Sequence, residues 1–273
     1  MSVRIAVLQM TSGMDPARNF DTIRAAALEA SQGGAAMLFT PEMSLLLDRD
    51  RTRAAAHIVA QDISPHVAAL AELAREMELT IALGSMAVTV EQGGWANRSM
   101  LFTPDGTPPT TYDKIHMFDV DLAQGESWRE SSAYRAGSEV VVVEDTPIGR
   151  LGMTVCYDLR FPALFEALGR RSCDAIAIPA AFTVPTGEAH WHVLMRARAI
   201  EASAFVIAAA QVGQHEDGRR TYGHSLVVDP WGEVLLDMGG EALGLGFAEI
   251  DLDRIADVRA QVPSLANRRE ILT

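Results

Sequence analysis

Apolar runs and polar breaks divide the first third of the chain into alternating strand and helix segments. Val3 to Met10 is a nearly unbroken apolar run, the pattern of a strand buried on both faces. Asp15-Pro16 then supplies an N-cap and a first-turn proline for an alanine-rich helix reaching Ala30, and Gly33-Gly34 ends it. A second buried strand, Ala35 to Thr40, stops at Pro41-Glu42 and leaves an acid at its carboxyl end. A helix from Ser64, with Pro65 at its first position, to Glu78 precedes a third strand, Thr80 to Met86. This rhythm predicts a layered α/β domain with helices outside a sheet.

The middle of the chain changes character. Trp95 to Phe102 and Thr110 to Lys114 read as a hairpin turning at Pro104-Asp105-Gly106, whereas residues 115 to 138 show no period and predict a long loop of the kind that walls active sites. Strands follow at Val140 to Val143 and 149 to 156, then a helix over 161 to 171, a strand from Ala175 to Pro179, a helix from Glu188 to Ser203 and a strand from Phe205 to Gln211. Tyr222 to Asp229 and Glu233 to Leu236 pair across Pro230-Trp231-Gly232. Gly244 to Ile250 is the last strand, and Asp251 caps a short helix. With no repeat, low-complexity tract or linker, residues 1 to 273 are expected to form a single domain.

Composition narrows the function classes. The 273 residues are 48% hydrophobic and 22% charged, and the net charge of −13 would repel a nucleic-acid backbone or an anionic membrane. No apolar run approaches a membrane span and the first residues show no export pattern, so a cytoplasmic protein that binds neither nucleic acid nor membrane is expected. Cys156 and Cys173 are accordingly expected as free thiols.

The stretch IGRLGMTVCYDLRFPALFE, residues 148 to 166, carries the candidate nucleophile. An apolar strand delivers Cys156 to a turn before a helix, where free N–H groups and the helix dipole would favour thiolate. Glu42 and Lys114 also follow strands, and strand ends in a layered α/β sheet converge on one crevice. The carboxylate could take the thiol proton and the ammonium could hold the oxyanion of a tetrahedral adduct, giving acyl transfer without histidine. A Cys156–His224 pair is the weaker account, and no His or Cys spacing resembles a metal site, so no metal or cofactor is expected.

The segments FTPEM, YDKIHMFD and GMTVCYDLRFP resemble, in order and spacing, the three signature blocks of the nitrilase superfamily of carbon-nitrogen hydrolases, over Ile5 to about Arg268. The resemblance implies a four-layer α-β-β-α sandwich with Glu42 as general base, Lys114 as oxyanion stabiliser and Cys156 as nucleophile. Glu130, seven residues before Gly137, holds the place of a second family glutamate that positions the lysine. Among the substrate contacts expected are Tyr157, Arg160, Phe182 and Thr183. Arg160 would take a substrate carboxylate or, alternatively, pair with Glu166 or Asp158. The segments AHWHVLMRARAIE, AAAQVGQH and YGHSLVVDPWG are similar to the branch that hydrolyses deaminated glutathione; Ala209, Ala210 and Gln211 differ from the neighbouring ω-amidase branch. Gly187-Glu188 replaces the usual Gly-Pro and would add a negative charge near the pocket rim. The implied activity is hydrolysis of a small carboxylic amide to acid and ammonia through a cysteine thioester, with deaminated glutathione the favoured substrate. The rivals are an ω-amidase acting on 2-oxoglutaramate or 2-oxosuccinamate, an N-carbamoyl amino acid hydrolase, a true nitrilase and a non-catalytic binding member. A homodimer or larger homo-oligomer is implied as well.

Overall fold

The computed structural model describes residues 2–91, 93–121 and 127–269. The first strand, β1 (Ser2–Gln9), leads into α1 (Pro16–Gln32), whose N-cap Asp15 accepts from the N–H groups of Ala17 and Arg18. Next come β2 (Met37–Phe39), the short α2 (Arg51–Ala55) capped by Asp50, and α3 (Pro65–Glu76) capped by Ser64. Three longer strands follow: β3 (Thr80–Thr89), β4 (Trp95–Phe102) and β5 (Thr110–Asp113). Of the segment expected to be loop, residues 122–126 lie outside the described residues; the rest holds a small ribbon, β6 (Asp119–Asp121) with β7 (Ser127–Arg129), and a 3-10 turn, Glu130–Ser132.

The second half begins with β8 (Val142–Thr146) and β9 (Gly149–Met153), followed by a 3-10 turn over Cys156–Arg160 and α4 (Pro162–Arg170). β10 (Ala175–Ala177) precedes α5 (Val184–Ala202) and β11 (Phe205–Ala208). α5 starts four residues earlier than expected. Gly187, which weakens a helix pattern, is needed there because a Cβ would lie 2.2 Å from the Tyr222 ring. The stretch read as one strand from Tyr222 is two: β13 (Arg220–Tyr222) pairs with β12 (Val212–Gln214), and β14 (Leu226–Val228) pairs with β15 (Val234–Asp237). The break falls at Gly223 and His224, both at positive φ. β16 (Gly244–Asp251) and α6 (Leu252–Gln261) are the last elements among the described residues.

Two six-stranded sheets form, ordered β16-β1-β2-β3-β4-β5 and β15-β14-β11-β10-β9-β8. Each has three parallel central strands with antiparallel neighbours, which is why those strands are apolar on both faces. Ile5, Val7 and Phe39 of one sheet pack against Leu151, Phe205 and Ile207 of the other. On the far face of the first sheet, Leu8 and Leu38 meet Ile23 and Ala27 of α1 and Leu70 and Leu73 of α3. On the far face of the second, Ile176 and Val206 meet Phe165 of α4 and Trp191 and Met195 of α5. The result is the four-layer α-β-β-α sandwich. Among the described residues no helix is long and apolar enough to cross a membrane.

Candidate active site

Four chain segments deliver the predicted reactive groups to one pocket of about 170 Å³. The turn after β2 presents Glu42, and it packs so closely on β3 that a Cβ at Gly84 would stand 2.1 Å from the Thr40 carbonyl. Lys114 directly follows β5, with its N–H on the Asn97 carbonyl at 3.0 Å. Gly137 explains the fixed interval from Glu130: its N–H donates to the Lys114 carbonyl at 2.9 Å, and a side chain there would collide with the Asp113 carbonyl. Cys156 sits at φ 49°, a left-handed turn unusual for a non-glycine residue, and its N–H is tied to the Pro179 carbonyl at 2.8 Å.

Lys114 Nζ donates to Glu42 Oε1 at 3.0 Å and to Glu130 Oε2 at 2.9 Å. The Cys156 thiol and the Glu42 carboxylate are close enough for each to shift the other's ionisation. The second Glu42 oxygen accepts from the Ala181 N–H at 2.9 Å. All three residues are buried, Lys114 at 2%, Glu42 at 5% and Cys156 at 7% exposure. Burial opposes the ionised form of Glu42, but the Lys114 charge, the Cys156 thiol and hydrogen bonds from Lys114 and Asn97 outweigh it and hold the carboxyl below its ordinary value. Lys114 is likewise desolvated, yet Glu130 and Glu42 keep it charged well past the usual lysine range. Burial, followed by the neighbouring Glu42 charge, pushes the Cys156 thiol well up.

That last direction corrects one expectation. The helix dipole does not make Cys156 a thiolate, because α4 begins only at Pro162 and the thiol is buried beside a carboxylate. The resting pair is a neutral thiol beside an ionised acid, poised for proton transfer as the sulfur attacks.

The pocket also contains Tyr157, Phe182 and Thr183 in its lining, together with Asn97, Phe118 and Trp128. Arg160 stands behind the lining: its guanidinium lies over the Tyr157 ring (5.8 Å) and the Phe182 ring (5.2 Å) and reaches His190 Nδ1 at 3.2 Å. The alternative pairings for Arg160 fail. Glu166 is taken by Arg170, and Asp158 is enclosed by Tyr112, His116 and Val155. Glu188 is exposed beside Tyr222 and does not line the pocket, so the expected charge at its rim is absent from that lining.

Asn97 was not legible as a site residue. Its Nδ2 donates to Glu42 Oε1 (3.0 Å) and Glu130 Oε1 (3.1 Å), so one amide holds the two carboxylates in place. The available signal was a polar residue two positions from Ser99 and four from Leu101, on the strand face that turns into the sheet-sheet core. His192, His224 and Asp237 also escaped the spacing argument. They converge outside the catalytic pocket, with His192 Nε2 3.0 Å and His224 Nδ1 2.9 Å from the two Asp237 oxygens. Cys156 and Cys173 are both free thiols, and Cys173 lies buried in the core on the α4 side of the second sheet.

Residues 4–260 match the family model described as carbon-nitrogen hydrolase. The chain is 39% identical to the deaminated glutathione amidase of Yersinia enterocolitica over 271 residues, covering 98% of this chain and 93% of that protein. Its fold superposes on the crystal structure of the C. elegans NitFhit protein with a TM-score of 0.90 at 36% identity, covering 98% of this chain but only 65% of that longer chain. A mutant of the amidase from Nesterenkonia sp. AN1, with acrylamide added at its active-site cysteine, matches with a TM-score of 0.78 at 26% identity, over 96% of this chain and 98% of that one. A layered fold, a buried acid-lysine-thiol cluster and near full-length similarity thus agree, and this chain belongs to the carbon-nitrogen hydrolase family.

Proposed function

We propose that this amide-hydrolysing enzyme acts on deaminated glutathione through a thioester on Cys156. The observation that carries the chemistry is a buried lysine held by two carboxylates, Glu42 and Glu130, in one pocket with the Cys156 thiol. Glu42 accepts the thiol proton while Sγ bonds to the amide carbon, and the oxyanion lies between Lys114 Nζ and the Tyr157 N–H. Collapse breaks the C–N bond, and Glu42 returns the proton to the departing nitrogen. Water then gives Glu42 a proton as it attacks the thioester; the C–S bond breaks, and that proton restores the thiol. Glu130 and Asn97 keep Lys114 and Glu42 in register throughout. Arg160, packed against the Tyr157 and Phe182 rings from behind the lining, supplies the positive charge that favours the carboxylate of the 2-oxo acid at this end of the pocket, with Thr183 on the pocket wall.

Substrate choice follows from the identity with deaminated glutathione amidases. Deaminated glutathione releases 2-oxoglutarate and a dipeptide amine, so ammonia is a product only with the smaller substrate 2-oxoglutaramate. Pure protein is expected to form 2-oxoglutarate from both compounds, with the higher kcat/KM on deaminated glutathione. No 2-oxoglutarate from either defeats the assignment, and a preference for 2-oxoglutaramate selects the ω-amidase reading instead.

The same proposal places the enzyme in the cytoplasm as a homodimer. Val193 and Ile200 are exposed on one face of α5, Arg196 between them donates to the Gly232 carbonyl at 2.7 Å, and Trp231 and Leu235 stand exposed nearby. Such an apolar surface on a chain this acidic fits contact with a second copy. Light scattering is expected to give twice the mass of one chain; a monomer at working concentration refutes it.

A further inference from the structure

The catalytic pocket has a basic wall in a protein whose net charge is −13. Its inner end is balanced, since Lys114 faces Glu42 and Glu130. Its outer wall carries Arg49, Arg51, Arg129 and Arg219, and the one described carboxylate beside them in the lining, Asp48, is bound by Arg53. Two of these arginines are engaged elsewhere: Arg129 pairs with Asp121, and Arg51 donates to the Arg129 carbonyl. The other two lie beside Trp128, the Arg49 guanidinium 5.2 Å and the Arg219 guanidinium 5.1 Å from its ring, and of these Arg219 is also ion-paired, with Asp217.

Asp217 organises this pair. It binds the Arg219 guanidinium at 2.6 Å and accepts the backbone N–H of Arg49 at 2.9 Å, which leaves the Arg49 guanidinium with no carboxylate among the described residues. The Trp128 Nε1–H is itself buried and has no hydrogen-bond partner among the described residues. A buried donor without an acceptor is costly unless a ligand supplies one. Two guanidinium groups within about 5 Å of one indole, whose N–H lacks an acceptor, are donors of the kind a carboxylate pairs with.

We infer that Arg49, Arg219 and the Trp128 Nε1–H form a second carboxylate subsite, which takes the free carboxylate on the leaving-group side of the scissile amide. A row of rings connects it to the first. Tyr157, next to the nucleophile in sequence, is 5.1 Å from Phe118, Phe118 is 6.3 Å from Trp128, and the Arg160 guanidinium is 5.8 Å from the Tyr157 ring. Cationic groups thus stand at both ends of the row, and the thiol shares the pocket lining with its three rings. A substrate with a 2-oxo acid on its acyl side and a carboxylate-terminated amine on the other engages both ends. A primary amide such as 2-oxoglutaramate, whose leaving group is ammonia, engages only the Arg160 end. The inference rests on the amidase reading and adds the reason a dianionic peptide amide is chosen over a small one.

The test compares kcat/KM for deaminated glutathione with that for the same compound carrying a C-terminal carboxamide. Wild-type enzyme is expected to prefer the free acid by about tenfold or more, the scale of a charge-assisted hydrogen-bond set. Arg49→Gln is expected to shrink that preference to about twofold, chiefly through KM because the subsite lies away from the reacting bond. Trp128→Phe, which keeps the ring and removes the donor, is expected to lower it several-fold. No preference in the wild type, or a preference that survives Arg49→Gln, overturns the subsite. If the wild type hydrolyses neither compound, the amidase reading fails by itself, and calorimetric titration of Cys156→Ala with both compounds decides the subsite. Tighter binding of the free acid then supports it; equal binding, or none, overturns it.

Discussion

Cys156→Ala is expected to lower kcat by roughly 10⁵ or more, since removal of a nucleophile that acts as a unit with its base leaves only binding and oxyanion stabilisation. The fold is expected to survive. The change removes one sulfur and its interaction with Glu42 from a residue already held by its backbone to Pro179, a loss of about 1 kcal/mol by denaturant unfolding. A collapsed circular dichroism spectrum would make Cys156 a packing residue instead.

The same pair sets the pH dependence of kcat/KM. Glu42 must be ionised to accept the thiol proton, and its carboxyl is held below its ordinary value of 4.5, so the acid limb is expected below that pH. The thiol is pushed above its ordinary value of 9.0, so no rise in rate is expected as the pH approaches it. The profile is therefore flat across the neutral range. A rate climbing with an inflection near 8 to 9 would show that a preformed thiolate, and not a thiol-carboxylate pair, is the reactant.

How much of this was legible in the sequence depended on whether the signal was local. Asp15-Pro16 and Ser64-Pro65 mark helix starts because a cap and a proline act within one turn, and the structure places both where the residues direct. The residues 115 to 138 gave no period because their strands are three residues long, held by side chains such as Arg129 on Asp121 and by the Glu130 carboxylate on the Phe118 N–H at 2.7 Å. Gly187 misled for a similar reason: the close approach of Tyr222 that requires it comes from a strand 35 positions away in sequence.

The candidate site divides in the same way. Glu42, Lys114 and Cys156 end strands, and strand ends converge in a sheet, so their meeting could be anticipated from order alone. The ionisation of the thiol could not, because it depends on burial and on the distance to a carboxylate 114 positions earlier. Asn97, Trp128 and the arginine pair escaped notice because nothing about an asparagine, a tryptophan or an arginine distinguishes it until a cavity forms beside it. A signature block identifies the groups that react; the groups that choose among substrates lie in the less regular segments between blocks.

Asp158, two residues past the nucleophile, is where reactivity and stability are joined. It is fully buried, and its two oxygens accept four hydrogen bonds: from Tyr112 Oη (2.6 Å) and the Val155 N–H (2.9 Å) on one, and from the His116 N–H (3.0 Å) and Nδ1 (2.7 Å) on the other. Tyr112 and His116 lie on either side of Lys114, while Val155 precedes Cys156, so one carboxylate ties the lysine segment to the nucleophile turn. His116 is further fixed by stacking on Phe161 at 3.6 Å. Asp158→Ala leaves four donors without their acceptor in a closed space, and a loss of about 3–5 kcal/mol in unfolding free energy is expected. Asp158→Asn keeps the shape but puts an NH₂ where an acceptor is needed, so it is expected to lose less stability while still lowering kcat by about tenfold or more through displacement of Lys114 and Cys156. Since Asp158 touches no substrate, KM is expected to move less than kcat. Near wild-type stability in Asp158→Ala, or an Asp158→Asn enzyme altered only in KM, would show that the two segments hold their positions without this carboxylate.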